Sequence, residues 1–300
     1  MIKLGSRSSK LATWQAHHVQ AELLKKNLEV EIVFLTTEGD QSQQSLTEFG
    51  GQGAFTRRIQ QALLSGEIDF AVHSLKDLPT EPIEGLTLAA VPCRESPVDV
   101  WVAQKSESLA QAEPGTLIGT GSLRRQAQLL HQRKDVRVKD IRGNVDTRLR
   151  KLDAGEYDAL VLAKAGLARL GLSESIQSEF SISQMLPAIG QGALGLECRS
   201  DDADTLNALV QINESNSHTE VLSERALLRT LRAGCLAPVG AYARVNPTGT
   251  LDLSAVVLSR DGSQRVFGES SGPLADPEKL GVSLANELIS NGAQKLLDRS

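Results

Sequence analysis

Twice between its first residue and about residue 186 the chain alternates short apolar stretches with longer amphipathic ones. This repeated rhythm constrains the fold more than any other feature, because strands that alternate with helices form a parallel sheet covered on both faces. In the first run "MIKLGS" reads as a strand and "SKLATWQAHHVQAELLKKN" as a helix with apolar residues at Leu11, Trp14, Val19, Leu23 and Leu24. "EVEIVFLTT" is a strand, "TRRIQQALLSG" a helix ending at Gly66, and "IDFAVHSL" a buried strand. Between them "EGDQSQQSLTEFGGQGAF" has no periodicity and reads as a long mobile loop. The second run repeats the order. "DVWVAQ" and "TLIGTGS" are strands, "LRRQAQLLHQR" a helix, "VRVKDIRGN" a strand and turn, "VDTRLRKLDAG" a helix, and "YDALVLAKAGLARLGL" a strand and helix. "LLSGEIDFAV" at 63–72 and "KLDAGEYDALV" at 151–161 share a helix end, Gly-Glu, Asp and a buried strand, which marks the halves as related.

The pattern changes near residue 215. "HTEVLSERALLRTLRAG" is a helix, "VGAYARVNP" and "TLDLSAVVLSRDGSQRVFGES" are antiparallel strands with a hairpin at Asp261-Gly262, and "DPEKLGVSLANELISNGAQKLLDR" is one helix opened by Asp276-Pro277. The expected organisation is two α/β domains, 1–92 and 98–186, and a small α+β domain at 215–300. Paired α/β domains bind ligands beyond the C-terminal ends of their strands, in the cleft between them.

Bulk properties narrow the function. No run approaches the roughly 20 apolar residues of a membrane span, and the N-terminal stretch has no apolar segment followed by a cleavage site, so a cytoplasmic protein is expected. A formal charge of −5 argues against nonspecific nucleic-acid binding. Three cysteines, Cys93, Cys198 and Cys235, form no pairable framework and no zinc motif, and no metal is expected.

Three constellations carry chemistry. Arginines recur where loops meet helices: Arg7 in "GSRSS", Arg124 and Arg125 after "GTGS", Arg142 before Gly143-Asn144, Arg148 one turn on, and Arg169 at the end of the next helix. Helix N-termini expose unpaired N–H groups, and guanidinium forks match carboxylates or phosphates. Singly each arginine also fits a solvated surface charge; as a set at equivalent junctions they favour an anionic ligand. No nucleotide-triphosphate loop motif is present. Second, Lys76 and Asp77 in "VHSLKDLP" end a buried strand, where open α/β sheets place catalytic groups, although an ordinary turn pair reads the same way. Third, Cys235 lies between Gly234 and Pro238. It is a buried small apolar residue or a reactive thiol near Arg232. As a hydrolase nucleophile it would need a histidine, and neither His73 nor His218 is paired with it by spacing. Cys93 and Cys198 read as structural.

Taken together, "GSRSSKLATWQ", "VHSLKDLP", "GTGSLRRQAQL", "IRGNVDTRL", "GEYDALVLAKAGLARLG", "LPAIGQGALGLECR" and "AGCLAPVGAYA" resemble the porphobilinogen deaminase (hydroxymethylbilane synthase) family over essentially the whole chain. The resemblance implies two domains like the halves of a type II periplasmic binding protein plus a small C-terminal α+β domain, with residues 193–210 returning to the first domain. It implies a transferase that condenses four porphobilinogens head to tail, with loss of ammonia, on a dipyrromethane cofactor, and that releases hydroxymethylbilane by hydrolysis. It maps the cofactor's thioether to Cys235 and the catalytic carboxylate to Asp77. Lys76, Ser74, Thr120, Ser122, Arg124, Arg125 and Asn144 are implied cofactor contacts. Arg7, Ser9, Phe55, Arg142, Arg148, Arg169 and Gln191 are implied substrate contacts. A monomer in tetrapyrrole synthesis is implied, with uroporphyrinogen-III synthase as a transient partner. Departures include Gly121 where Ser is common, Gln52 for Lys, Arg58 for Glu, and Ala233 and Leu236 beside the cysteine. The contrasting class is a noncatalytic two-domain binding protein for an anionic small molecule, which would use the arginines but neither Cys235 nor Asp77.

Overall fold

The computed structural model describes residues 1–35, 56–234 and 237–298. The expected loop up to Phe55, with Gln52, and the stretch Cys235-Leu236 lie outside the described residues. The chain divides into two compact units, Met1–Glu95 with Ala193–His218, and Ser96–Gly192 with Thr219–Ser300.

The first unit is built on strands β1 (Ile2–Ser6), β2 (Val30–Phe34), β3 (Phe70–Ser74), β4 (Leu86–Ala90) and β10 (Leu194–Arg199), in the order β2-β1-β3-β10-β4. β3 is central and its first four residues are buried, which is why "FAVH" is a continuous run and not an alternating one. Helices cover both faces. On one side α1 (Lys10–Leu24) packs Ala16, Val19 and Leu23 with Leu4, Phe70 and Leu196, and on the other α2 (Arg57–Leu64) packs Ile59, Ala62 and Leu63 with Ile68 and Ala71. Helix α6 (Ala203–Val210) follows β10, its Asp202 cap accepting the Thr205 N–H at 3.1 Å.

The expectation of a wholly parallel sheet is corrected here. β1 runs parallel to β2 and β3, but β10 runs antiparallel to both β3 and β4. A crossover helix sets strand direction only between the strands it connects, and β10 enters this sheet from a distant part of the chain. Periodicity carries no information about that.

The second unit holds two sheets. In one, β5 (Asp99–Ala103), β6 (Leu117–Gly119), β7 (Arg137–Lys139), β8 (Ala159–Ala163) and β9 (Ser178–Glu179) take the order β7-β6-β8-β5-β9, with α3 (Leu123–Gln132), α4 (Val145–Asp153) and α5 (Lys164–Arg169). β5 is fully buried and antiparallel to β8, again unlike the expected parallel arrangement. The other sheet is the antiparallel β11 (Val239–Val245), β12 (Thr250–Leu258) and β13 (Arg265–Pro273), accompanied by α7 (Ser215–Thr230), α8 (Pro277–Ser290) and α9 (Ala293–Leu297). Along β12 the side chains divide by parity. Leu251, Leu253, Ala255 and Val257 join the core with α8 and α9, while Val256 and Leu258 face Ala127 and Leu186. The single C-terminal helix expected from the sequence is two: Gly292, at φ +97°, takes the left-handed conformation that ends α8. The fold is α/β in both five-stranded sheets and α+β in the C-terminal part.

The β12–β13 hairpin tip packs on α3. Gly262 has φ +68°, and a Cβ there would lie 2.5 Å from both Ala127 O and His131 N. Its own carbonyl meets His131 Nδ1 at 2.9 Å. Gly262→Ala therefore adds backbone strain and a clash with backbone atoms, and is expected to lower stability by about 2 kcal/mol. A denaturation midpoint equal to that of the parent chain would contradict this packing.

Candidate active site

Two leucines aim the Lys76–Asp77 pair outward. After β3 the chain makes one 3₁₀ turn, Leu75–Asp77, and both Leu75 and Leu78 are buried. Each buried leucine contributes about 1.5–3 kcal/mol, so the turn is pinned at both ends. The Leu75 N–H also donates to Ala193 O at 3.0 Å. Lys76 is left half-buried and Asp77 exposed. Gln15 of α1 donates to Ser74 Oγ at 2.7 Å and fixes the strand end from the side. β1 is parallel to β3, so Arg7 and Ser9, which follow β1, stand on the same edge of the sheet as Lys76 and Asp77. Ser9 is the N-cap of α1, accepting the Ala12 N–H at 3.3 Å.

One cluster beneath this edge was not anticipated. Glu197 of β10 is buried, with its Oε2 3.0 Å from His73 Nε2 and its Oε1 accepting from Gln60 Nε2 at 3.1 Å. His73 is thereby engaged by a carboxylate, and His218 Nδ1 lies 2.9 Å from Asn213 Oδ1. Arg58 pairs with Glu67 at 2.8 Å. Cys198 is buried in β10, and burial pushes its thiol up to about 11. Cys93 is exposed on the loop after Val91 and Pro92.

In the second unit the arginines of the sequence pattern gather at two helix N-termini that follow the parallel strands β6 and β7. Ser122 caps α3, accepting the Arg125 N–H at 3.4 Å, and its own N–H donates to buried Thr120 Oγ1 at 3.2 Å. A Cβ on the neighbouring Gly121 would come 3.1 Å from Asp140 Oδ1 and from Ile141 O, a tight fit that a larger residue meets only if these neighbours shift by a few tenths of an ångström. Asn144 caps α4 through the Thr147 N–H at 3.0 Å. Arg142 Nε donates to Asp140 Oδ2 at 2.7 Å, both side chains about half exposed, and Arg148 Nε donates to Gly143 O at 2.8 Å. Arg169 is buried and donates to Gly192 O at 2.6 Å.

Arg124 and Arg125 are not on the surface. Both are buried, and both reach the fully buried Asp99 at the start of β5. Arg124 Nη1 donates to Asp99 Oδ2 at 2.7 Å, and Arg125 donates to Oδ1 through Nη2 at 2.8 Å and Nε at 3.0 Å. Gln191 Nε2 donates to the same Oδ1 at 2.9 Å and to Pro97 O at 2.6 Å. Burial alone would raise the Asp99 pKa, but the two guanidiniums outweigh it and hold the carboxyl well below the usual carboxylate range. Burial depresses Arg124, and Asp99 opposes the shift. Asp99 was missed by the sequence reading; an acid opening the apolar run "DVWVA" is the signal that a cation had to be near.

Phe55 and Cys235 lie outside the described residues. Among the described residues no group of three or more His, Cys, Asp or Glu could hold a metal ion, and no helix is long and apolar enough to cross a membrane.

A family model described as porphobilinogen deaminase, dipyrromethane cofactor binding domain, matches residues 2–207, and one described as porphobilinogen deaminase, C-terminal domain, matches residues 218–290. Among solved structures the chain is similar to the methionine-binding protein MetQ, at 15% identity and TM-score 0.46, over 70% of this chain and 89% of that one. It is also similar to a putative methionine-binding lipoprotein from Bacillus subtilis, at 13% identity and TM-score 0.44, over 70% and 89% of the two chains. A putative periplasmic sulfonate-binding protein from Methylobacillus flagellatus matches at 15% identity and TM-score 0.40, over 77% and 68%.

Proposed function

The chain belongs to the porphobilinogen deaminase family, and on that premise we propose how its own residues divide the work. Its activity is that of hydroxymethylbilane synthase, a transferase of tetrapyrrole synthesis that joins four porphobilinogens with loss of ammonia on a dipyrromethane cofactor. The observation that carries this is the pair of family matches across residues 2–207 and 218–290.

The donor set suits the cofactor. A dipyrromethane built from two substrate units brings four carboxylates, and the chain offers a buried arginine pair with one excess positive charge, Arg142 and Arg148 at a second helix start, and Lys76. Arg124 Nε is buried with no acceptor among the described residues, which suits an added anion. In this reading Cys235 anchors the cofactor through a thioether, and Ser74, Lys76, Thr120, Ser122, Arg124, Arg125 and Asn144 hold its acidic side chains. When bound, the cofactor supplies the pyrrole carbon to which the first substrate is joined.

Asp77 meets the positive charge that develops on the substrate ring as ammonia departs. Exposed on a pinned turn, its carboxylate can reach the ring and pass a proton. Arg7, Ser9, Arg142, Arg148, Arg169 and Gln191 bind substrate acetate and propionate, and Phe55 packs on a pyrrole ring. Three sheets support a three-domain division at 1–92 with 193–210, 98–186, and 215–300. The reading also has the protein acting as a cytoplasmic monomer that hands product to uroporphyrinogen-III synthase; three cysteines without paired spacing agree with a reducing compartment.

Incubation with porphobilinogen decides between catalysis and mere binding. Catalysis predicts about four ammonia released per linear tetrapyrrole formed, the balance set by one leaving amine for each new bond. Saturable binding with no ammonia would leave the noncatalytic binding protein instead.

A further inference from the structure

Asp99 is fully buried, and the residues that follow it in β5, Val100, Trp101 and Val102, are buried and apolar. A carboxylate in such surroundings is tolerated only against cations. It has two, Arg124 and Arg125, with Gln191 as a third donor. Each guanidinium is held a second time by a backbone carbonyl, Arg124 by Leu186 O at 2.7 Å and Arg125 by Val161 O at 3.0 Å. Neither fork can therefore turn without breaking several bonds. The two arginines do not use Asp99 alike. Arg125 lies side-on and spends Nε and Nη2 on one oxygen, whereas Arg124 approaches by Nη1 alone and its Nε is a buried donor with no acceptor among the described residues. Two cations against one carboxylate leave one positive charge, and an unmet buried donor is unfavourable unless a ligand completes it.

We propose that Asp99 is a positioning residue for the reaction: it holds Arg124 and Arg125 as a preformed receptor whose one remaining positive charge takes one carboxylate of the pyrrole ligand. Asp99 does not touch that ligand and acts through the two arginines. The inference rests on the deaminase reading, because it takes the ligand to be a pyrrole carboxylate.

A purely structural ion pair and a positioning residue predict different kinetics. Losing the first lowers thermal stability but leaves the folded fraction with parent kinetics. Losing the second weakens carboxylate capture in protein that remains folded. The test is Asp99→Asn in the full chain, with circular dichroism for the fold, intact mass for the covalently loaded fraction, and KM and kcat for porphobilinogen on that fraction. The expected result is a fall in loading or a rise in KM of about tenfold, larger than the change in kcat. Loading and KM both within about twofold of the parent overturn the proposal. If Asp99→Asn yields no folded protein, Asp99→Glu decides. It keeps the charge and displaces the carboxylate by one methylene, so the same shift is expected in smaller measure, and parent values again overturn the proposal. A parent chain that carries no adduct and releases no ammonia removes the deaminase reading itself; a normal parent beside a normal Asp99→Asn removes this inference alone.

Discussion

Asp77→Ala is expected to lower kcat by roughly 10²–10⁴-fold, the range for loss of a positioned acid–base group, without loss of fold or of the cofactor adduct. The structure makes the separation clean. Asp77 is exposed, so truncating it removes no packed atoms, and exposed substitutions of this kind change stability by about 0.5 kcal/mol or less. The turn that carries it is held by Leu75 and Leu78 and by the Leu75 N–H bond to Ala193 O, none of which involves the carboxylate. Asp77→Asn keeps the shape and removes the charge, so it should lose nearly as much turnover. That result would assign the effect to electrostatic stabilisation and proton transfer and not to shape. Single-turnover kinetics, intact mass and a thermal melt on the same preparations check all three statements. An alanine variant with near-parent kcat would take Asp77 out of the mechanism.

The second large effect concerns Cys235. The purified active chain should weigh more than its sequence by two linked pyrrole units, and Cys235→Ala should lose both the excess and the activity. The other two thiols make poor alternatives. Cys198 is sealed in β10 with its thiol pushed up to about 11, so little thiolate exists near neutrality. Cys93 is exposed, and Cys93→Ala should leave the added mass untouched. A thioether resists hydrolysis, so the adduct should survive denaturation and repeated turnover, which an ester or an imine would not. Excess mass persisting in Cys235→Ala, or an active preparation at bare sequence mass, would refute the assignment.

Much of the site's layout follows from local rules. Ser9, Ser122 and Asn144 cap helices through N–H groups three residues on, and each stands where a strand gives way to a helix. The buried run of β3 followed by a short turn puts Lys76 and Asp77 at a strand end, as the pattern "VHSLKDLP" suggested. The clustering of arginines at such junctions was equally visible, and the family motifs joined the pieces into one chemistry. The partners of those arginines were not visible. Arg124 and Arg125 read as groups waiting for a ligand, yet their nearest anion is Asp99, 25 and 26 residues earlier in the chain. The His73–Glu197 contact spans 124 residues, and the antiparallel entry of β10 between β3 and β4 depends on chain that lies elsewhere for about a hundred residues.

The division has one physical origin. Helix caps, strand runs and turns are decided by interactions within a few residues, so side-chain type and spacing along the chain were enough to read most of them, though not the helix break at Gly292. Strand direction, the choice of counter-ion for a buried charge, and which arginine keeps a donor for a ligand are settled by residues that meet only after the chain has folded. Sequence order alone carries no distance between them, so only the tertiary structure could pair Asp99 with Arg124 and Arg125.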